Sequence, residues 1–89
     1  MQLKQDLTED SLKEVAKKSK LLGNPKHLQI LLIIENKSQT LDEIHERIKK
    51  KRTYLHREST YKAIEKMVEA SLIKKEYDPK MKKFFYSII

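Results

Sequence analysis

Apolar positions recur along this chain with two different periods, and the change from one to the other divides it. Leu12, Val15, Ala16 and Leu22, with Ser19 among them, fall on one narrow stripe at helical spacing. Thr8-Glu9-Asp10 ahead of them offers an N-cap and places two carboxylates where a helix dipole favours them. Gly23 ends this first helix, and Asn24-Pro25 opens the next with a cap and a first-turn proline. The second helix runs to about Asn36, and Leu28, Ile30, Leu31, Leu32, Ile33 and Ile34 make it apolar nearly all round. Such a helix is expected to be the central, most buried one. Lys37-Ser38-Gln39 is a polar connector with room for a residue or two of strand. Thr40-Leu41-Asp42-Glu43 then fits the Thr-x-x-Glu capping box of a third helix that turns Leu41, Ile44 and Ile48 inward. Lys49-Lys50-Lys51-Arg52 forms its basic exit, followed by a turn over Thr53–Arg57 with Leu55 as its apolar plug. Thr60, Ile64, Met67 and Val68, at i, i+4, i+7 and i+8, mark the core face of a fourth helix.

Beyond that helix the period shortens to two. Leu72–Tyr77 and Lys83–Ile88 read as strands, with Asp78-Pro79-Lys80 as the turn between them. Alternation points Phe84, Tyr86 and Ile88 to the core and Phe85 outward. The 89 residues suffice for a single domain with one modest core. Its parts are an N-terminal helix over 1–22, a three-helix core over 24–73 and a hairpin over 73–89. The longest apolar run, Ile30–Ile34, is stopped by Glu35, far short of the roughly 18 residues that span a bilayer. The N-terminus lacks the basic-then-apolar layout of a secretory signal. Without cysteine there are no disulfides, thiolate metal sites or thiol nucleophiles, and the cytoplasm is the expected compartment. The lysine-rich, cysteine-free composition is similar to that of thermophilic archaeal proteins.

Charge changes the picture through its distribution. Residues 1–48 carry eight Lys/Arg and eight Asp/Glu, whereas residues 49–89 carry twelve against five, so the whole net charge of +7 lies in the second half. Segregation of this kind suggests a surface that faces a polyanion.

Two stretches resemble known regulators. Leu21-Leu22-Gly23-Asn24-Pro25-Lys26-His27-Leu28-Gln29-Ile30-Leu31 resembles the opening of arsenical-repressor-like (ArsR-like) winged-helix proteins. Glu58-Ser59-Thr60-Tyr61-Lys62-Ala63-Ile64-Glu65-Lys66-Met67-Val68-Glu69-Ala70-Ser71-Leu72-Ile73 resembles the recognition helix shared by ferric-uptake-like and related winged-helix repressors. The resemblance covers roughly residues 20–89. It implies a mainly α fold with a small β-hairpin wing (α+β), the winged helix-turn-helix, and a sequence-specific regulator of transcription on double-stranded DNA. Ser71 stands where the family has a glycine, in a left-handed helix end that costs a non-glycine residue roughly 1 kcal/mol. Leu41-Asp42-Glu43-Ile44-His45 stands where the metal-sensing cysteine pair of ArsR-like proteins would be, so metal sensing of that type is not expected.

Helical geometry selects the contact residues. With Thr60, Ile64, Met67 and Val68 inward, Lys62 points almost directly away, Glu58, Ser59 and Lys66 flank it, and Tyr61 lies at the edge. A recognition helix over about 57–70 would present Ser59, Tyr61 and Lys62 to base edges and Lys66 to a phosphate. Glu58 is either an acceptor for cytosine or an ordinary carboxylate at a helix start. The pairs Lys62–Lys66 and Glu65–Glu69 are like-charged at i,i+4, a poor choice for a face meant only for water. A wing over about 74–86 carries Lys74, Lys75, Lys80, Lys82 and Lys83, suited to the phosphate backbone. The same lysines on an edge hairpin would also deter aggregation. Lys49–Arg52 is either a solvated helix end or, together with Arg57, a phosphate clamp.

His27, His45 and His56 share no metal-ligand spacing and read as surface or capping residues. No phosphate loop, nucleophile elbow or paired-carboxylate site is visible, so no catalysis, cofactor or small-molecule ligand is expected. Leu3, Leu7, Leu12, Val15, Ala16 and Leu22 either cover the domain's own core or pair with a second subunit. Two-fold DNA half-sites favour the homodimer. Two rival readings are a winged helix that contacts protein within a larger assembly, and a single-stranded nucleic-acid or RNA binder that stacks bases on the hairpin aromatics.

Overall fold

The structure is a computed structural model, and it describes residues 9–89. Thr8 as a cap, and Leu3 and Leu7 as apolar positions, lie outside the described residues. Four helices precede one hairpin: α1 (Glu9–Leu22), α2 (Pro25–Ile34), α3 (Leu41–Lys50), α4 (Arg57–Glu69), β1 (Ile73–Asp78) and β2 (Lys83–Ile88). The strands pair antiparallel with Ile73 opposite Ile88, Lys75 opposite Tyr86, and Tyr77 opposite Phe84. Gln39 adds an isolated bridge to the free edge of β2, exchanging both backbone hydrogen bonds with Tyr86 (3.0 and 2.8 Å). The connector thus supplies one residue of strand.

Local chemistry explains where the helices begin. Asn24 is extended (φ −92°, ψ 115°), as a residue before proline must be, and its side chain accepts from the Lys26 N–H. Thr40 and Glu43 form the full capping box at α3. The Thr40 hydroxyl accepts from the Glu43 N–H, and the Glu43 carboxylate accepts from the Thr40 N–H at 2.9 Å. α4 has no side-chain cap and is held by its packing.

The core is assembled from isoleucines spaced one helical turn apart. Ile30 and Ile34 of α2, Ile44 and Ile48 of α3, and Ala63, Ile64 and Met67 of α4 close around Ile73 and Tyr86 from the hairpin. Each of these helices therefore turns one face to a shared interior, at a gain of about 1.5–3 kcal/mol per fully buried large side chain. Several expectations fail here. α2 is not buried all round: Leu28 is exposed, and Leu32 is 67% exposed, because no described element covers that side of α2. Leu55 is exposed, and Tyr54 is the residue that packs the turn against the core, with the Lys26 ammonium 5.2 Å from its ring centre. On β2 only Tyr86 is fully buried, whereas Phe84 and Ile88 are exposed and Phe85 is half-buried. The hairpin runs past the edge of the helical core, so only Ile73 at its base and Tyr86 are enclosed. His27 is buried rather than on the surface, and His45 is half-buried.

α1 contributes no buried residue at all. Leu12 and Val15 are 53% and 61% exposed. Its junction with α2 is held by His27, whose Nδ1–H donates to the Leu21 carbonyl at 2.9 Å.

Ser71 adopts φ 60°, the left-handed geometry expected at this helix end. Ser71→Gly is expected to stabilise the domain by about 0.5–1 kcal/mol, read as a higher denaturation midpoint; no gain would show that Ser71 makes a compensating contact. The backbone N–H of Thr40 holds the Glu43 carboxyl below its ordinary value of 4.5 against a smaller effect of burial, with help from the Thr40 hydroxyl and the charges of Lys37 and Lys83. A lowered folded-state value means that this contribution is complete above the ordinary value and is lost as pH falls through the folded one. Thr40→Ala should cost about 1 kcal/mol at neutral pH, and the difference from wild type should shrink in acid; a pH-independent difference would detach the effect from Glu43.

Candidate nucleic-acid interface

The rotation of α4 about its own axis decides what it presents outward. Thr60, Ala63, Ile64 and Met67 are buried, and Thr60 is fully enclosed with its Oγ1 2.7 Å from Nδ1 of His45 on α3. That contact satisfies the one polar atom on the buried face and locks the helix in register. Lys62 is consequently exposed on the opposite side, with Glu58, Tyr61 and Lys66 also exposed and Ser59 half-buried.

The ionic partners differ from the like-charged pairs expected. Lys62 pairs with Glu58 at 3.3 Å, one turn earlier. In the DNA-free domain Glu58 thus lightly orients Lys62, a pair worth a few tenths of a kcal/mol. Glu65 reaches across to Lys75 of β1. The repulsion anticipated on this face is eased for Lys62 by Glu58 within the helix's own spacing, and for Glu65 by Lys75, a partner that spacing does not reveal.

Arg57, at the first turn of α4, donates through Nε to Asp42 of α3 at 2.7 Å. This places Arg57 at the N-terminal end of α3, roughly 12 Å of helix away from Lys49–Arg52 at the other end. Arg57 and Lys49–Arg52 therefore do not form one clamp. Arg57, exposed, lines a groove of about 390 Å³ together with Asp42, Tyr61, Lys83 and Phe84.

Lys75 departs furthest from expectation. It lies on the inner face of the hairpin, opposite Tyr86, with side-chain exposures of 25% for Lys75 and 29% for Glu65. Its ammonium is 3.3 Å from Glu65, 4.6 Å from the Phe84 ring centre and 5.9 Å from those of Tyr61 and Tyr86. Burial opposes the charge, but the Glu65 hydrogen bond and the fields of Tyr86, Glu65 and Tyr61 outweigh it and hold the pKa above the ordinary lysine value. Burial likewise pushes the Tyr86 hydroxyl up. Lys75 is thus the strut that fastens the wing to α4. Nothing in period-two alternation distinguishes it from Lys74, which is exposed and paired with Glu76 at 3.3 Å.

The wing tip keeps the expected outward cations. Lys80, Lys82 and Lys83 are exposed and form no ion pair among the described residues. Asp78 holds the turn, accepting from the Lys80 N–H at 2.9 Å and the Met81 N–H at 3.2 Å. Tyr77 and Phe84, exposed beside it, meet edge to face at 5.1 Å. Lys66 is carried towards α1, where it borders Lys17 and Lys20. Those two carry no signal in the sequence, because only the groove that α1 and α4 both border brings them near. Among the described residues no three His, Cys, Asp or Glu side chains gather as a metal ion would need, and no helix is long and apolar enough to cross a membrane.

Lys75→Met should keep the packing stem and remove the ammonium, destabilising the fold by about 1 kcal/mol. Lys80→Ala with Lys82→Ala should leave the denaturation midpoint unchanged. Equal stability of Lys75→Met and wild type would reject the strut.

No protein-family model and no curated protein matches the chain. Solved structures do share its architecture. One is the homodimeric winged helix-turn-helix DNA-binding domain of Mb0332 from Mycobacterium bovis, described as a possible ArsR-family transcriptional regulator. It aligns with TM-score 0.70 and 19% identity over 86% of this chain and 65% of that one, so the present chain spans just under two thirds of its length. Reduced HlyU from Vibrio cholerae aligns with TM-score 0.71 and 16% identity, over 99% of this chain and 81% of that one. The transcriptional regulator HlyU from Vibrio vulnificus aligns with TM-score 0.69 and 17% identity, over 99% and 82%. At these identities the likeness is one of fold, and the chain is a winged helix-turn-helix domain of four helices and an antiparallel hairpin.

Proposed function

We propose that the domain binds double-stranded DNA as a sequence-specific regulator of transcription and acts as a homodimer. The observation that carries this reading is the locked rotation of α4. Thr60, Ile64 and Met67 are wholly enclosed while Tyr61 and Lys62 are exposed with Ser59 half-buried beside them, alongside a wing tip whose Lys80, Lys82 and Lys83 form no ion pair among the described residues. In this reading α4 enters the major groove, where Ser59, Tyr61 and Lys62 meet base edges. Arg57, Lys66 and the wing-tip lysines lie on phosphates, and Lys75 anchors the wing without touching DNA. The DNA-binding description of the Mb0332 domain supports the same use of the fold. No catalysed reaction, metal or cofactor enters the proposal.

The homodimer is supported by α1. A helix of 14 residues with no buried side chain cannot hold its place by propensity alone. Its exposed Leu12 and Val15 suit a two-fold partner, and the Mb0332 domain is homodimeric. A second reading, stacking of single-stranded bases, rests on the exposed Tyr77–Phe84 pair at the wing tip.

Mobility shifts with duplex, single-stranded and RNA probes at two salt concentrations separate these readings. Six to eight phosphate contacts per dimer predict a log–log salt slope of about −5 to −7 on duplex DNA. Absence of duplex binding at low salt would sink the proposal, and preference for single strands would favour the second reading. Lys62→Ala should cost roughly 1–3 kcal/mol on the preferred site and less on random DNA, whereas Lys80→Ala with Lys82→Ala should weaken all sequences alike. Solution scattering should give about twice the 10.6 kDa chain mass. A monomer at high micromolar concentration would reject the dimer.

A further inference from the structure

The groove where α1 and α4 meet the start of α2 has a composition that the proposed base-reading face does not explain. It is lined by Lys17 and Lys20 of α1, Asn24 and His27 at the start of α2, and Lys66 and Glu69 of α4. Three ammonium groups face one carboxylate, and none of the three forms an ion pair among the described residues. Like charges gathered on packed segments raise the energy of the free domain, and an anion between them lowers it.

The floor of the groove adds an independent observation. His27 is only 7% exposed, and its Nδ1–H is consumed by the Leu21 carbonyl at 2.9 Å. Among the described residues Nε2 has no partner, and none of their fully enclosed side-chain nitrogens or oxygens lacks one, so Nε2 is not fully enclosed, in a residue that lines the groove. Neutral, it accepts from an ammonium or a water; protonated, it donates directly to an anion. With Nδ1–H given to the Leu21 carbonyl, a neutral Nε2 can accept from a lysine ammonium or a water and so orient the donors that would hold an anion.

Register identifies the source of that anion. Lys66 follows Lys62 by one turn, so the outward strip of α4 that faces the bases in the proposed binding mode runs directly into this groove. We propose that Lys17, Lys20 and Lys66 hold a backbone phosphate of the duplex that α4 reads, with His27 Nε2 as the polar floor. This inference rests on the DNA-binding proposal and extends its footprint to α1. Lys17 and Lys20 become contact residues, and the α1–α2 junction becomes part of the binding surface.

The test uses the full chain, its Lys17→Gln/Lys20→Gln double variant and Lys62→Ala. Each is titrated with duplex DNA over a range of salt, and separately with pyrophosphate as a free anion, while the His27 ring resonance is followed by NMR. The double variant, melting like wild type, is expected to bind every duplex more weakly. Its salt slope should be shallower by about 0.9 for each phosphate that a subunit no longer neutralises. The His27 resonance should move on duplex binding in wild type and not in the double variant. Wild-type affinity and slope in the double variant, with Lys62→Ala still losing sequence preference, would overturn the groove and leave the DNA-binding reading standing. If wild type binds no duplex, that reading falls and pyrophosphate decides. A His27 shift abolished in the double variant would then support an anion site fed by free phosphate compounds, and no shift would overturn it.

Discussion

Thr60 is fully enclosed in the first turn of α4, and its hydroxyl lies 2.7 Å from His45 of α3. A buried hydroxyl without a partner costs about 1–3 kcal/mol, so this one contact resists any rotation of α4 that would move Thr60 off His45. Ile64 and Met67, one and two turns further along, are equally enclosed against Ile30, Ile34, Ile44 and Ile48. The outward direction of Lys62, and with it the whole candidate interface, follows from that fixed rotation.

The hairpin depends on the same helix. Ile73 and Tyr86 enter the core, but beyond them the strands overhang it, and the link between overhang and helix is the Lys75–Glu65 pair among Tyr61, Phe84 and Tyr86. Partial burial makes this pair less screened than the fully solvated ones on α1 or at the start of α4. It therefore sets the angle at which the wing tip stands from α4, and Lys80, Lys82 and Lys83 are carried on that angle. Gln39 secures the other edge of β2, bonding Tyr86 through its backbone and the Ile33 carbonyl through its side chain at 2.6 Å.

α1 stands apart from this pattern of burial. It is tied to the core through the His27–Leu21 bond and its packing on α2, and its apolar side chains remain exposed. The proposed two-fold partner would cover the apolar stripe while Lys17 and Lys20 stay on the side of α4. One short helix would then serve both assembly and binding, with the two roles on different faces.

Periodicity and punctuation determined most of the architecture from the sequence. The starts of α2 and α3 rest on residues within one turn of them, Asn24-Pro25 and Thr40-x-x-Glu43, and the apolar spacing of α3 and α4 selects their buried faces directly. The left-handed Ser71 was likewise legible from its place at a helix end. What the sequence could not determine depends on which surface another element happens to cover. The apolar residues of α2 read as buried all round, yet Leu28 and Leu32 stay exposed to solvent. Alternation put Phe84 inside, but the core ends before it. Lys75 and Lys74 are indistinguishable as letters, and only the position of α4 makes one a strut and leaves the other in water. Local hydrogen bonds and helical period act over a few residues and are written in order along the chain. Burial and charge pairing act between residues on different elements, such as Glu65 and Lys75 or Arg57 and Asp42, and exist only once the elements have packed.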